Sequence, residues 1–206
     1  MSTPLVAGAA ALVRQYFREG RLMNGMGNEL VREGFAPSAA LVKACILHSG
    51  RALTVPGSSS SRRSLPSLDQ GYGGMDLSRA LWFGGGGVGD GGGDEEAVGP
   101  ARLRVVDGVH VADGQVLRFC LSFPAESSTT AAVGGRGGHP LAVTVVWTDP
   151  PAQPQADRAL VNDIDLRVIG PDNRVLLGNR SRHAYICPRV DTRRVYIQVR
   201  GYGRAS

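Results

Sequence analysis

The chain has 206 residues, 42% of them hydrophobic and 20% charged, which is enough for one large domain or two small ones. The net charge is +5, but the arginines are scattered without a basic helix or an aromatic stacking platform, so nucleic-acid binding is not expected. The sequence has no stretch of 18 apolar residues, so no membrane span is predicted. The opening residues lack the basic first region of a signal peptide.

The first predicted element is a helix over Thr3 to Glu19. Apolar residues recur there at three- and four-residue steps, namely Leu5, Val6, Ala9, Leu12, Val13, Tyr16 and Phe17. Thr3 is the expected N-cap, Pro4 the expected first helical residue and Gly20 the expected stop. Because alanines and Gly8 fill most of the other positions, we expect a helix with other backbones packed close around it.

A second helix is predicted over 37–48 and is ended by Gly50. Its apolar stripe consists of Leu41, Val42, Cys45 and Ile46. Ala36 precedes Pro37, so capping of this helix falls to Ser38 or is weak. A short helical turn is predicted over 75–81.

The stretch 84–99 is nearly all glycine and acidic residues, which is typical of a spacer. After it the hydrophobic period changes from the helical value to two. Strands are predicted around Leu103–Val105, Val116–Leu121, Leu141–Trp147, Ile164–Val168, Val175–Leu177 and Val195–Val199. Turn sequences such as Asp-Gly and Pro-Pro separate them, a pattern typical of a β-sandwich or jelly roll. The sequence therefore predicts two domains, 1–83 and 100–206, joined by a linker at 84–99.

The start of the chain carries the most specific motif. It consists of Met1, Ser2, Thr3, Pro4, Leu5, Val6, Ala7 and Gly8. This resembles the part of the subtilisin-like serine protease (subtilase) motif that follows the nucleophile serine. The segments 37–44 and 69–81 resemble later parts of a subtilase catalytic domain, although Gly71-Tyr72-Gly73 stands where Gly-Trp-Gly is usual. The segments 145–151 and 160–166 resemble the C-terminal β-barrel of KP-type alkaline subtilases.

The resemblance implies an α/β fragment, the C-terminal helices of a subtilase catalytic domain, followed by an all-β jelly-roll or sandwich domain. It implies a serine endopeptidase acting through an acyl-enzyme on protein or peptide substrates, in a secreted or extracellular parent. The aspartate, histidine and oxyanion asparagine precede the serine in this family, and the serine itself is expected immediately before Met1. Ser2 occupies the small-residue position after the methionine. The 206-residue chain is therefore expected to lack the triad and to be inactive alone, with Met1, Ser2, Thr3, Pro4 and Gly8 flanking the site.

Histidines and cysteines offer weaker candidates. His48, His110, His139 and His183 lie outside any nucleophile motif, so an independent hydrolase site is not expected. Three cysteines, Cys45, Cys120 and Cys187, leave at least one unpaired in a monomer and form no metal-binding spacing, and their pairing stays open.

Asp163 and Asp165 are two residues apart in a strand-like segment, so both carboxylates project to one face and are weak calcium candidates. The other interpretation is a solvent-facing acidic edge. The chemistry of the parent requires no cofactor. The alternative function is a non-catalytic binding module, in which residues 100–206 form an independent β-sandwich that binds a glycan or a protein.

Overall fold

The computed structural model describes residues 2–21, 34–53, 65–66, 70–81, 103–122, 141–157, 160–170, 173–178 and 194–202. The chain divides into two compact units, one over Met1–Val109 and the other over His110–Ser206. The predicted 84–99 linker lies outside the described residues. Neither helix of the described part has the length and apolar character that a membrane crossing needs.

Helix α1 runs over Ser2–Arg18, one residue earlier than predicted at each end. Thr3 is therefore inside the helix and is not its N-cap. Pro4 still costs nothing, because the first four helical N–H groups have no intrahelical acceptor. The helix ends at Arg18, and Gly20 just beyond it turns the chain out of the helical direction with a φ of 65° that glycine adopts without strain. The Gly20 amide donates to the Phe17 carbonyl and the Arg21 amide to the Tyr16 carbonyl, the paired bonds of a Schellman motif.

Helix α2 runs over Ala39–His48 and is capped by Ser38, whose hydroxyl accepts from the Leu41 amide at 3.0 Å. Two-residue strands β1 (Gly50–Arg51) and β2 (Gly74–Met75) pair antiparallel, and a 3₁₀ turn follows over Leu77–Arg79. The buried residues of the first unit's core are Val13, Tyr16, Phe17, Leu41, Cys45 and Leu81. The contact between α1 and α2 is therefore built by the C-terminal half of α1.

The second unit contains a four-stranded antiparallel sheet with the order β3-β6-β4-β5. Its strands are β3 (Val116–Ser122), β4 (Asp163–Ile169), β5 (Val175–Leu177) and β6 (Arg194–Tyr202). Val168, Ile197 and Val199 form the buried centre of one face. Alternation at period two places these residues on one side and the intervening ones on the other.

Two segments predicted as strands are not strands. Residues 103–110 and 141–150 have no ladder partners among the described residues. Leu103 and Val105 pack against the core of the first unit, and Leu141, Val143 and Val145 pack against the sheet. Both segments thus bury alternate side chains without sharing backbone hydrogen bonds with a sheet. Residues 103–109, predicted to begin the β-rich domain, group with the helical unit.

Candidate functional site

The first turn of α1 carries the predicted motif residues. Ser2, Thr3, Pro4 and Gly8 all lie on α1 and are exposed, whereas Met1 lies outside the described residues. A Cβ at Gly8 would meet nothing within 4 Å, so no other backbone of the described residues lies against this position. The close packing expected around this helix is therefore not found at Gly8 among the described residues, although the next residue, Ala9, is buried.

The other half of α1 is firmly anchored. Val13 and Phe17 are fully buried, and the ring of Phe17 lies 5.2 Å from Tyr16, edge to face, and 5.2 Å from Phe35. The Phe35 amide also donates to the Phe17 carbonyl at 3.0 Å. The helix is therefore held at its C-terminal end, and its N-terminal end projects from that anchor.

Large apolar side chains remain exposed along α1. Leu5 is 69% exposed, Leu12 57% and Val6 42%. Between α1 and α2 lies an open groove of about 560 Å³, lined mainly by small and aliphatic side chains, among them Val6, Ala10, Val42 and Ile46. A helix that leaves this much apolar surface in water gains free energy when another surface covers it.

Ser38 and Asp107 fasten the segment 103–109 to the start of α2. One Asp107 oxygen accepts from the Ser38 hydroxyl at 2.5 Å, and the other accepts from the Ser38 amide at 2.8 Å. The Asp107 carboxylate also accepts from the Gly108 amide at 2.9 Å. The cap of α2 is therefore itself held by a residue 69 positions away.

Two titratable groups on α2 have perturbed pKa values. Burial, and then the charge of Asp107, raises the pKa of the Cys45 thiol to about 11. A thiol with this pKa is protonated near neutral pH, so Cys45 is a poor nucleophile. Burial, and then the charge of Arg79, lowers the pKa of His48. His110 is exposed, and His139 and His183 lie outside the described residues.

Asp163 and Asp165 are both exposed on the same face of β4, as their spacing predicts. Arg200 of β6 lies directly opposite Asp165 in the register, which places a cation where a metal would need further oxygen ligands. The described residues contain no group of three or more His, Cys, Asp or Glu side chains that could hold a metal ion. Calcium at this pair stays a prediction.

Asp149 is a structural centre that the sequence analysis did not single out. Its carboxylate accepts from the Val161 amide at 2.7 Å, the Asn162 amide at 2.9 Å and the Asn162 side-chain amide at 2.8 Å. These bonds, that from Val161 first, lower the pKa of Asp149. The carboxylate thus joins the 141–157 segment to the residues that lead into β4. The sequence carries no local signal for these bonds, because the partners lie 12 and 13 positions away.

No family model matches the chain. Curated proteins similar to it include three from Dictyostelium discoideum, named serine protease/ABC transporter B family proteins tagA, tagD and tagB. The first is 28% identical over 170 residues, which cover 80% of this chain and 8% of that protein. The second is 26% identical over 203 residues and the third 27% over 205, covering 88% and 87% of this chain.

This chain spans only about a tenth of the length of each relative. It is thus similar to one region of much larger proteins whose names include serine protease. The likeness extends over both structural units, because the matches cover four fifths or more of the chain.

Proposed function

We propose that the chain is part of a subtilisin-like serine endopeptidase, in which α1 carries the catalytic serine of a longer polypeptide at its N-terminal entrance. In this proposal the first unit is the C-terminal part of an α/β catalytic domain, and the second belongs to a jelly-roll or sandwich domain that supports it. Over most of its length the chain is similar to proteins named serine proteases, which agrees with the assignment to a serine protease.

The single observation that carries the proposal is the asymmetry of α1. Its C-terminal half is locked by Val13 and Phe17, whereas its first turn, Ser2 to Leu5, is exposed. A nucleophile joined to such a turn is fixed by a rigid helix and remains open to a substrate. The helix N-terminus also carries a partial positive charge, which favours negative charge developing beside it.

The chemistry requires groups that these 206 residues do not supply in the family's motif positions. The serine hydroxyl attacks the scissile carbonyl while a histidine, oriented by an aspartate, takes up its proton, and an acyl-enzyme forms. The proposal places the serine directly before Met1, and the aspartate, histidine and oxyanion asparagine earlier in the longer chain. Ser2 follows Met1 in the sequence and is a flanking residue in this proposal.

The exposed apolar residues of α1 fit the same proposal. Leu5, Leu12 and the groove beside α2 form a surface that the rest of a catalytic domain would cover. Covering it is the physical reason why the intact domain would be more stable than the 206-residue chain. The anchored half of α1 is already covered by the core of the first unit, to which Val13, Tyr16 and Phe17 belong.

The decisive experiment compares two polypeptides with a fluorophosphonate probe that labels activated serines. The codons upstream of Met1 are determined from the transcript and are expected to encode Gly-Thr-Ser. The extended protein that they define is expected to be labelled and to cleave casein, and replacing the serine before Met1 with alanine should abolish both.

The 206-residue chain serves as the matched control and should show neither labelling nor cleavage. Labelling of Ser2 or of another serine in this chain would overturn the proposal. An upstream reading frame without the Gly-Thr-Ser codons would overturn it as well.

A further inference from the structure

One face of the β3-β6-β4-β5 sheet is open to solvent. Val168, Ile197 and Val199 belong to the opposite, covered face. Residues that alternate with them, such as Arg118 and Arg200, are exposed. The open face is therefore defined by the register as well as by exposure.

A basic row crosses three strands of this face. Arg118 of β3 lies opposite Gln198 of β6, and Gln198 lies opposite Arg167 of β4. Adjacent strands are about 4.8 Å apart, so the backbones of the two arginines are separated by about 10 Å. Arg200 is two residues from Gln198 on the same face. Three guanidinium-bearing residues thus surround one neutral amide.

Arg167 is the less exposed arginine of the row. It is half-buried on β4, and its Nε is shielded from solvent without a hydrogen-bond acceptor among the described residues. Because water does not reach Nε, a ligand would contact the other nitrogens of the guanidinium, which match a carboxylate in a bidentate geometry.

An apolar row runs beside the basic row. Ile169 follows Arg167 by two residues on β4, and Val175 of β5 lies opposite it in the register. Val175 is 51% exposed, and Cys120, two residues from Arg118 on β3, is exposed as well. Leu177, 38% exposed, ends the basic row opposite Arg167.

We propose that this open face binds an acidic peptide segment of a protein partner, with carboxylates on the row Arg118–Gln198–Arg167 and an apolar residue on Ile169 and Val175. The carboxylates pair with the guanidinium groups of Arg118 and Arg167 and relieve the repulsion between them. The apolar side chain covers surface that water otherwise contacts.

A third row of the open face, which contains Asp165 and Arg200, favours a peptide over a continuous polyanion. Asp165 lies opposite Arg200, and Asp163 is two residues further along the same face. These carboxylates repel a nucleic-acid backbone, which presents evenly spaced negative charge without apolar side chains. A short peptide places its charges over one row only.

The test uses the 206-residue chain and a fluorescein-labelled peptide of alternating glutamate and leucine, followed by fluorescence anisotropy at low ionic strength. Saturable binding is expected. The double variant R118Q/R167Q should weaken it at least about tenfold, as expected for the loss of two charged partners at one site. Arg104→Gln, at an exposed position of the first unit, is the matched control and should leave binding unchanged.

One further variant should change binding in the opposite direction, and another is its control. Asp165→Asn removes a repulsive carboxylate beside the row and should tighten binding about two- to threefold. Asp157→Asn, at an exposed position outside the strands, should not change it. Far-UV circular dichroism of each variant establishes that the sheet is folded.

Several outcomes would overturn the proposal. One is absence of saturable binding, and another is equal weakening by Arg104→Gln. Equal affinity for a peptide in which glycine replaces leucine would remove the role of the apolar row. Tighter binding of double-stranded DNA or heparin than of the peptide would identify a polyanion surface instead.

Discussion

The helical unit and the sheet unit bury their apolar residues in different ways. In the helical unit Val13 and Phe17 are fully buried. In the sheet unit the most buried core residues, Val168, Val199 and Ile197, keep 4%, 7% and 9% of their surface exposed, and half-buried side chains surround them. One core is concentrated in a few side chains, and the other is spread over many.

The difference follows from how each element presents side chains. A helix brings residues three and four apart together on one stripe, so a large aromatic side chain can fill the contact with a neighbouring helix. A small sheet presents a broad surface, which the irregular segment at 141–157 covers only in part. A single substitution in the core should therefore lower the stability of the helical unit more than that of the sheet unit.

Phe17→Ala should have the largest effect. Removing a fully buried ring leaves a cavity and should lower the free energy of unfolding by about 3–5 kcal/mol. Urea unfolding followed by far-UV circular dichroism, with peptide-resolved hydrogen exchange over α1, measures it. The control Leu12→Ala, at a position 57% exposed, should change the free energy by less than about 0.5 kcal/mol. Equal effects of the two variants would contradict the concentrated core.

Val168→Ala should have a smaller effect in the sheet unit. Two methyl groups are lost from its most buried position, which corresponds to about 2 kcal/mol. Hydrogen exchange of the β6 amides should become faster and so measure this loss of stability, because Ile197 of β6 lies opposite Val168. A loss as large as that of Phe17→Ala would show that the sheet core is as concentrated as the helical one.

Ser38→Ala should lower stability by about 1 kcal/mol, since it removes the N-cap of α2. The same substitution releases the Asp107 carboxylate from a hydroxyl partner. In a double-mutant cycle with Asp107→Ala, the two losses should be non-additive by at least about 0.5 kcal/mol, because the residues are in contact. Additive losses would mean that Asp107 does not support the cap.

Asp149 should give the smallest effect, detectable by its pH dependence. Hydrogen bonds from Val161 and Asn162 lower its pKa in the folded chain below the ordinary value of 3.8. The stabilisation that the ionised Asp149 carboxylate gives to the folded chain is therefore complete above pH 3.8. It is lost as the pH falls through the lower pKa of the folded state. In an NMR titration the Val161 and Asn162 amide signals should move in that acidic range, and Asp149→Asn should remove the movement. Signals that move equally in the variant would assign the titration to another group.

The regular elements could largely be predicted from the sequence. The apolar spacing of α1, the stop at Gly20 and the strands near Val116, Ile164, Val175 and Val195 are found close to their predicted bounds. These features depend on local periodicity and on one positive-φ residue, which a short window of sequence contains. The assignment to a subtilase domain followed by a jelly roll stays a prediction.

The segments 103–105 and 141–147 show why prediction failed elsewhere. Alternation of apolar residues reports that every second side chain is buried, but it does not report whether a strand lies alongside to pair with the backbone. Leu103 and Leu141 are half-buried against the cores of different units, without a ladder partner among the described residues. Tertiary contacts decide between a strand and an extended covering segment.

The polar centres were the hardest part to predict. The motif at Ser2 to Gly8 was recognisable because its residues are contiguous. The contact of Ser38 with Asp107 joins residues 69 positions apart, and the partners of Asp149 lie 12 and 13 positions away. No local pattern indicates which distant amide a carboxylate will meet.

The attachment of Asp107 to Ser38 sets where the polypeptide can be divided for recombinant expression. A helical fragment cut at the glycine-rich stretch would lose Leu103, Val105 and Asp107, and with them part of its core and the support of its second helix cap. A fragment that ends at Val109 keeps all three. Its yield and melting temperature should exceed those of the shorter fragment.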